Sequence, residues 1–138
     1  MKLNRHKFVD KKWGYEEWIC NNSLYCGKKL FVKKGKSCSL HRHKNKDETF
    51  WLLSGKIMLE IGNCKIPLEP EDSIRVRPNT LHRFTGLEDS ILVEFSTHHE
   101  DSDSYRVSQD NENLISYKEA SDAILMAAGH SKTLKSLA

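Results

Sequence analysis

The sequence predicts an all-β fold, a closed barrel or double-sheet jelly roll, followed by one short C-terminal α-helix. Two observations between Leu24 and Ser96 carry the barrel. Short runs rich in Val, Ile, Phe and Leu recur there, and turn signals such as SGK, IGN, EPED and GLED interrupt them, about every 8 to 12 residues as in sandwiches and barrels. The third observation is a change of period near the C-terminus, from alternation to helical spacing.

Taken in order, residues 1–12 form a basic, polar N-terminal arm, which Trp13, Tyr15 and Trp18 anchor to the body. The strand candidates follow as LFVKK, SCSLHRH, ETFWLLS, KIMLEIG, CKIPL, SIRVR, LHRFTG and SILVEFS, with Gly55 and Gly62–Asn63 supplying hairpin turns. Short strands in such number favour closure, because a barrel or double sheet protects its strand edges. The barrel domain is therefore set at 13–108. Residues 109–138 form a polar linker and the helix, with a further short strand expected at Tyr105–Val107. Ser116 and Glu119 make a capping box, Ala120, Ala123, Ile124 and Ala127 recur at helical spacing, and Gly129 closes the element.

A chain of 138 residues holds one ordinary domain with a real core. No stretch approaches the roughly 20 apolar residues of a membrane span, and the basic start lacks the apolar run of a secretory signal. A cytoplasmic location is expected. Cys20, Cys26, Cys38 and Cys64 show no CxxC spacing, and a reducing compartment argues against a disulfide framework, so they are read as small buried or half-buried residues. A net charge of +3, with basic residues spread among acids, argues against nucleic acid as a partner.

The segment HRHKNKDETFWLLSG, residues 41–55, concentrates the chemistry. On a strand, residues i and i+2 share a face, so His41 and His43 point the same way, about 7 Å apart along the chain. The charged turn KNKD follows, and Glu48 opens the returning strand. His82, from a later strand, brings a third imidazole. Three neutral imidazoles and a carboxylate suit Mn²⁺, Fe²⁺, Co²⁺, Ni²⁺ or Zn²⁺, and four protein ligands leave room for water or substrate. His98 and His99, being adjacent, point apart on an extended chain and cannot chelate one ion together.

The spacing Gly35, five residues, His41, one residue, His43, four residues, Glu48, six residues, Gly55 resembles the first motif of the cupin superfamily at every marked position. DSIRVRPNTLHRF is similar to the second motif, with Pro78 and His82 in place and Thr80 where a glycine is common. Further stretches are similar to the cupin domain of type II mannose-6-phosphate isomerases. KKWGYEEW resembles its entry, with Lys12 where proline is usual. LVEFSTHHEDSDSYR resembles its close, through Glu94, Ser96, Glu100, Asp101, Asp103 and Arg106, with one extra residue in the acidic turn.

The resemblance implies a cupin jelly-roll barrel holding one divalent transition metal ion on His41, His43, Glu48 and His82. It implies isomerisation of a sugar or sugar phosphate, aldose to ketose, through an enediolate, and pairing into a homodimer. A base must then move the proton between neighbouring carbons. Glu94, which interrupts ILVEFS, fills that role if its strand face looks into the lumen; in the other phase Ile91, Val93 and Phe95 take the lumen and Glu94 meets water. Lys33 and Arg83 are the cations expected to hold a phosphate. Two other readings stay open: another metal-dependent enzyme, such as a dioxygenase, and a non-catalytic carbohydrate-binding cupin.

Overall fold

In the computed structural model, which describes residues 1–3 and 5–107, eleven strands form two antiparallel sheets facing each other. In chain order they are β1 (Lys7–Lys11), β2 (Gly14–Asn21), β3 (Cys26–Val32), β4 (His41–His43), β5 (Glu48–Ser54), β6 (Ile57–Ile61), β7 (Cys64–Leu68), β8 (Ser73–Val76), β9 (His82–Gly86), β10 (Ser90–Ser96) and β11 (Ser104–Arg106). A 3₁₀ turn, Asp101–Asp103, precedes β11. The larger sheet runs β1-β2-β3-β10-β5-β8 and the smaller β11-β4-β9-β6-β7. The expected jelly-roll barrel is therefore present, and the expected C-terminal helix lies outside the described residues. No helix among them is long and apolar enough to cross a membrane.

Strict alternation builds the interior. Along β3 the burial pattern puts Cys26, Lys28, Leu30 and Val32 inside, along β5 Glu48, Phe50 and Leu52, and along β6 Ile57, Leu59 and Ile61. These faces meet Trp13, Val76, Phe84 and Leu92 in one cluster. Trp13 packs edge-on to Phe84 with centroids 5.0 Å apart, and Phe50 meets the same ring at 6.1 Å. Each such buried side chain contributes about 1.5–3 kcal/mol of hydrophobic stabilisation.

Turn chemistry fixes the register. Gly55, at φ +89°, joins β5 to β6, and a Cβ built there would lie 2.3 Å from Ser90 Oγ. Only glycine takes that conformation and that space. Gly62, at φ +56°, closes the β6–β7 hairpin, which pairs Ile61 with Cys64 and Ile57 with Leu68.

Part of the expected arm is itself sheet. Lys7–Lys11 pairs with β2, matching Lys7 to Trp18 and Lys11 to Gly14. KFVDK lacks a clean apolar alternation because this edge strand is mostly exposed, and edge strands carry charge to discourage further pairing. The expected strand at 105–107 forms as Ser104–Arg106, pairing with β4. The four cysteines are free thiols.

Candidate metal centre

The site occupies one end of the barrel, where the hairpin carrying His41, His43 and Glu48 meets β9 and β10. His41 is the register partner of His82 across β4 and β9, and Glu48 is that of Ser96 across β5 and β10. One ring nitrogen from each of His41, His43 and His82 lies within 4.8 Å of the others. Glu48 completes the group, its Oε2 3.4 Å from His43 Nε2 and 3.6 Å from His82 Nε2. The four side chains expected to share an ion are thus gathered from three strands at one point.

Backbone geometry aims them. His41 Nδ1 donates to the Ser39 carbonyl at 2.6 Å, His82 Nδ1 to Thr80 at 2.8 Å, and His43 Nδ1 to Asp103 at 3.1 Å. A carbonyl can only accept, so each Nδ1 carries the proton and each Nε2 keeps a free lone pair. Burial drives the imidazoles toward the neutral form: His41 is lowered to about 4, and His43 and His82 are also lowered, with the Lys46 ammonium adding to the effect.

Two buried atoms, Glu48 Oε2 and His82 Nε2, have no hydrogen-bond partner. Both are acceptors, both are sealed from solvent, and they face one another, which is costly unless a cation or proton sits between them. With three neutral imidazoles in the ligating tautomer and one carboxylate, the set fits a divalent transition ion. Without the ion, burial and then the Glu94 carboxylate push the Glu48 carboxyl well up, against the pull of Lys46.

Glu94 faces the lumen, which decides between its two phases. It is 3% exposed, whereas Phe95 is 56% exposed. Its Oε2 accepts from Lys46 Nζ at 3.1 Å and from Ser96 Oγ at 2.9 Å. Burial alone would raise this carboxyl, but Lys46 and Lys28 reverse the effect and hold it below the usual carboxylate range.

Two expected substrate contacts fall elsewhere. Lys33 follows Val32, whose partner is Ser90, while the end of β10 beside Glu48 and the histidine cluster is Ser96; six residues separate those points, about 20 Å of strand. Its register places it at the opposite end of the barrel. Arg83 neighbours His82, so alternation turns it to the outer wall, where it makes a two-point pair with Glu60 at 2.8 and 3.0 Å.

The lumen instead holds cations not singled out from the sequence. Lys46, part of the expected charged turn, is 3% exposed and Lys28 1%. Lys46 Nζ reaches Glu94, lies 3.9 Å from Glu48 Oε1 and donates to His99 Nδ1 at 3.0 Å. His99 accordingly carries its proton on Nε2, which donates to Asp101 at 2.9 Å. Lys28 bonds Glu16 at 3.4 Å and lies 4.2 Å from the Trp18 ring centroid. His98 is outside, donating to the Asn22 carbonyl. Lys46 lies in the turn two residues before β5, and nothing in the sequence near it distinguishes it from a solvated lysine.

Comparison with known proteins agrees with this architecture. The family model described as "Cupin domain" matches residues 30–98. The D-lyxose/D-mannose isomerase of Thermosediminibacter oceani is 33% identical over 109 residues, a match covering 59% of this chain and 60% of that enzyme. Among solved structures, KdgF from Halomonas sp. superposes with a TM-score of 0.65 at 19% identity, covering 70% of this chain and 90% of its own. An RmlC-like cupin from Shewanella frigidimarina does so with a TM-score of 0.65 at 17% identity, covering 71% and 88%. With the model fitting half of the sequence and the two-sheet barrel shared with solved relatives, the chain belongs to the cupin domain family.

Proposed function

We propose that this cupin is a metal-dependent aldose–ketose isomerase acting on a free sugar. The observation that carries the reading is the convergence of three imidazole lone pairs and Glu48 beside the buried Lys46–Glu94 pair. The similarity to an enzyme named for D-lyxose and D-mannose supports the substrate class. So does the position of Lys33 and Arg83, the cations expected for a phosphate, away from the lumen.

His41, His43, His82 and Glu48 would hold the ion, which when bound supplies a Lewis acid for the sugar's carbonyl and hydroxyl oxygens. Glu94, kept ionised by Lys46 and Lys28, accepts the proton from the carbon beside the carbonyl and returns it to the former carbonyl carbon, while the hydroxyl proton passes from the neighbouring carbon's oxygen to the former carbonyl oxygen. Positioned proton transfer of this kind is worth roughly 10²- to 10⁴-fold. The Lys46 ammonium holds the carboxylate in place and offsets negative charge as it develops on the sugar oxygens. Burial of the whole group excludes bulk water and strengthens each of these interactions.

The test is proton exchange. Purified chain loaded with Mn²⁺, Co²⁺, Ni²⁺ or Zn²⁺ is given D-mannose, D-lyxose or mannose 6-phosphate in deuterated water, and NMR follows deuterium at C2 together with ketose formation. Incorporation into the free sugars, abolished by EDTA and restored by metal, is expected. A preference for the phosphorylated sugar would move the substrate class toward mannose 6-phosphate isomerases. Undiminished activity in metal-stripped protein, or oxygen uptake in place of exchange, would rule the mechanism out.

A further inference from the structure

The acidic stretch before β11 does more than cross the surface. Asp103 is buried, 7% exposed, and its carboxylate gathers three consecutive backbone amides of the turn between β4 and β5. Oδ1 accepts from Lys44 at 2.9 Å and Asn45 at 3.2 Å, and Oδ2 accepts from Asn45 at 3.1 Å and Lys46 at 3.0 Å. Its main-chain carbonyl takes the Nδ1 proton of His43. Successive amides converging on one anion form a nest, and such charge-assisted bonds are about twice as strong as neutral ones.

The turn so fixed carries two parts of the site. At one end stands His43; at the other, Lys46 sends its side chain into the lumen to Glu94 and His99. A buried ammonium is tolerated only when its partners are held in good geometry, and a long lysine side chain loses much rotamer entropy when it is fixed. Residues 44–46 show no apolar anchor of their own, being Lys, Asn and Lys. What anchors them is a carboxylate more than fifty residues away in the chain.

We propose that the Asp103 carboxylate is a positioning residue: by gathering the amides of Lys44, Asn45 and Lys46 it sets the aim of His43 Nε2 and the place where the Lys46 ammonium meets Glu94. The inference rests on the metal-dependent reading of the same site, and its test uses metal binding so that the two can fail separately.

Metal-free wild type, D103N and D103A are titrated with Co²⁺, recording the dissociation constant and the visible absorption band. Amide exchange of residues 43–47 and the thermal midpoint are measured alongside. Supporting residues around a metal typically change affinity 10- to 100-fold. Cobalt affinity should fall about tenfold in D103N, which keeps one acceptor oxygen, and about a hundredfold in D103A. The absorption band should shift and the amides of residues 44–46 should exchange faster. Affinity and band within twofold of wild type in D103N would overturn the proposal, and D103N decides should D103A fail to fold. Wild type that binds cobalt but exchanges no sugar proton ends the isomerase reading and leaves this test intact. Wild type without cobalt affinity overturns both.

Discussion

The two ends of the barrel are built from the same strands yet follow opposite rules. On β3 the inward face runs from Lys28 to Leu30 and Val32, on β5 from Glu48 to Phe50 and Leu52, and on β9 from His82 to Phe84. On β10 it runs back from Glu94 to Leu92. Each strand thus changes from polar to apolar within two residues, and antiparallel pairing gathers the polar ends together. The apolar end is an ordinary packed core. At the polar end, desolvation opposes folding and is offset only by paired charges and, in the proposed state, by an ion. Stability is therefore expected to reside at one end and reactivity at the other.

The largest expected break of this division is Glu94→Gln. It should lower the sugar proton-exchange rate by roughly 10²- to 10⁴-fold while cobalt affinity changes much less, as rate measurements and a metal titration would reveal. Phe50→Ala, its counterpart at the apolar end, should reduce unfolding stability by about 3–5 kcal/mol, read from urea denaturation of the metal-free chain. Next in size is the metal itself. Zn²⁺ or Co²⁺ at a hundred times its dissociation constant should add about 2.7 kcal/mol, and His82→Ala should erase that gain in thermal melts.

The smallest effect belongs to the outer wall. Hydrogen bonding from Arg83 lowers the Glu60 carboxyl, so the unfolded chain takes up this proton before the folded one does. The pair's contribution is present above about pH 4.5 and is lost as acid protonates Glu60 in the folded state. With half-exposed partners it should amount to about 0.2–1 kcal/mol. Arg83→Ala should therefore differ from wild type in urea midpoint at pH 7, and the difference should shrink as the pH falls below about 4.5, without touching cobalt affinity.

The barrel was legible because alternation and turn signals are local. ETFWLLS, CKIPL and SILVEFS form strands over the expected residues, while LFVKK marks only the end of a strand that begins at Cys26. The β2 strand was not foreseen, since GYEEWICN buries its residues only partly and shows no sharp alternation. The histidines and Glu48 were legible for a related reason: their spacing on a hairpin constrains them to one face. Lys46 and Lys28 were not, and Asp103 was marked only by resemblance and without its contacts, because their partners lie far along the chain. Lys46 meets Glu94 48 residues on, and Asp103 reaches Lys44 59 residues back. Nothing local distinguishes such a lysine from a solvated one. Lys33 and Arg83 were misplaced for the converse reason, since positive charge near a motif says nothing about which end or wall a side chain occupies.

The imidazoles owe their tautomer to the main chain, at Ser39, Thr80 and Asp103. Replacing neighbouring side chains cannot delete those acceptors; only rerouting the polypeptide can. A library that scrambles the pocket's lining while preserving its loops should keep selecting metal binders, whereas losing a single residue between Ser39 and His41 should yield none. Diversification of substrate preference would then be evolutionarily cheap on this scaffold, and the ion would be abandoned either by replacing a ligand such as His82 or by changing the length of a loop that holds the acceptors.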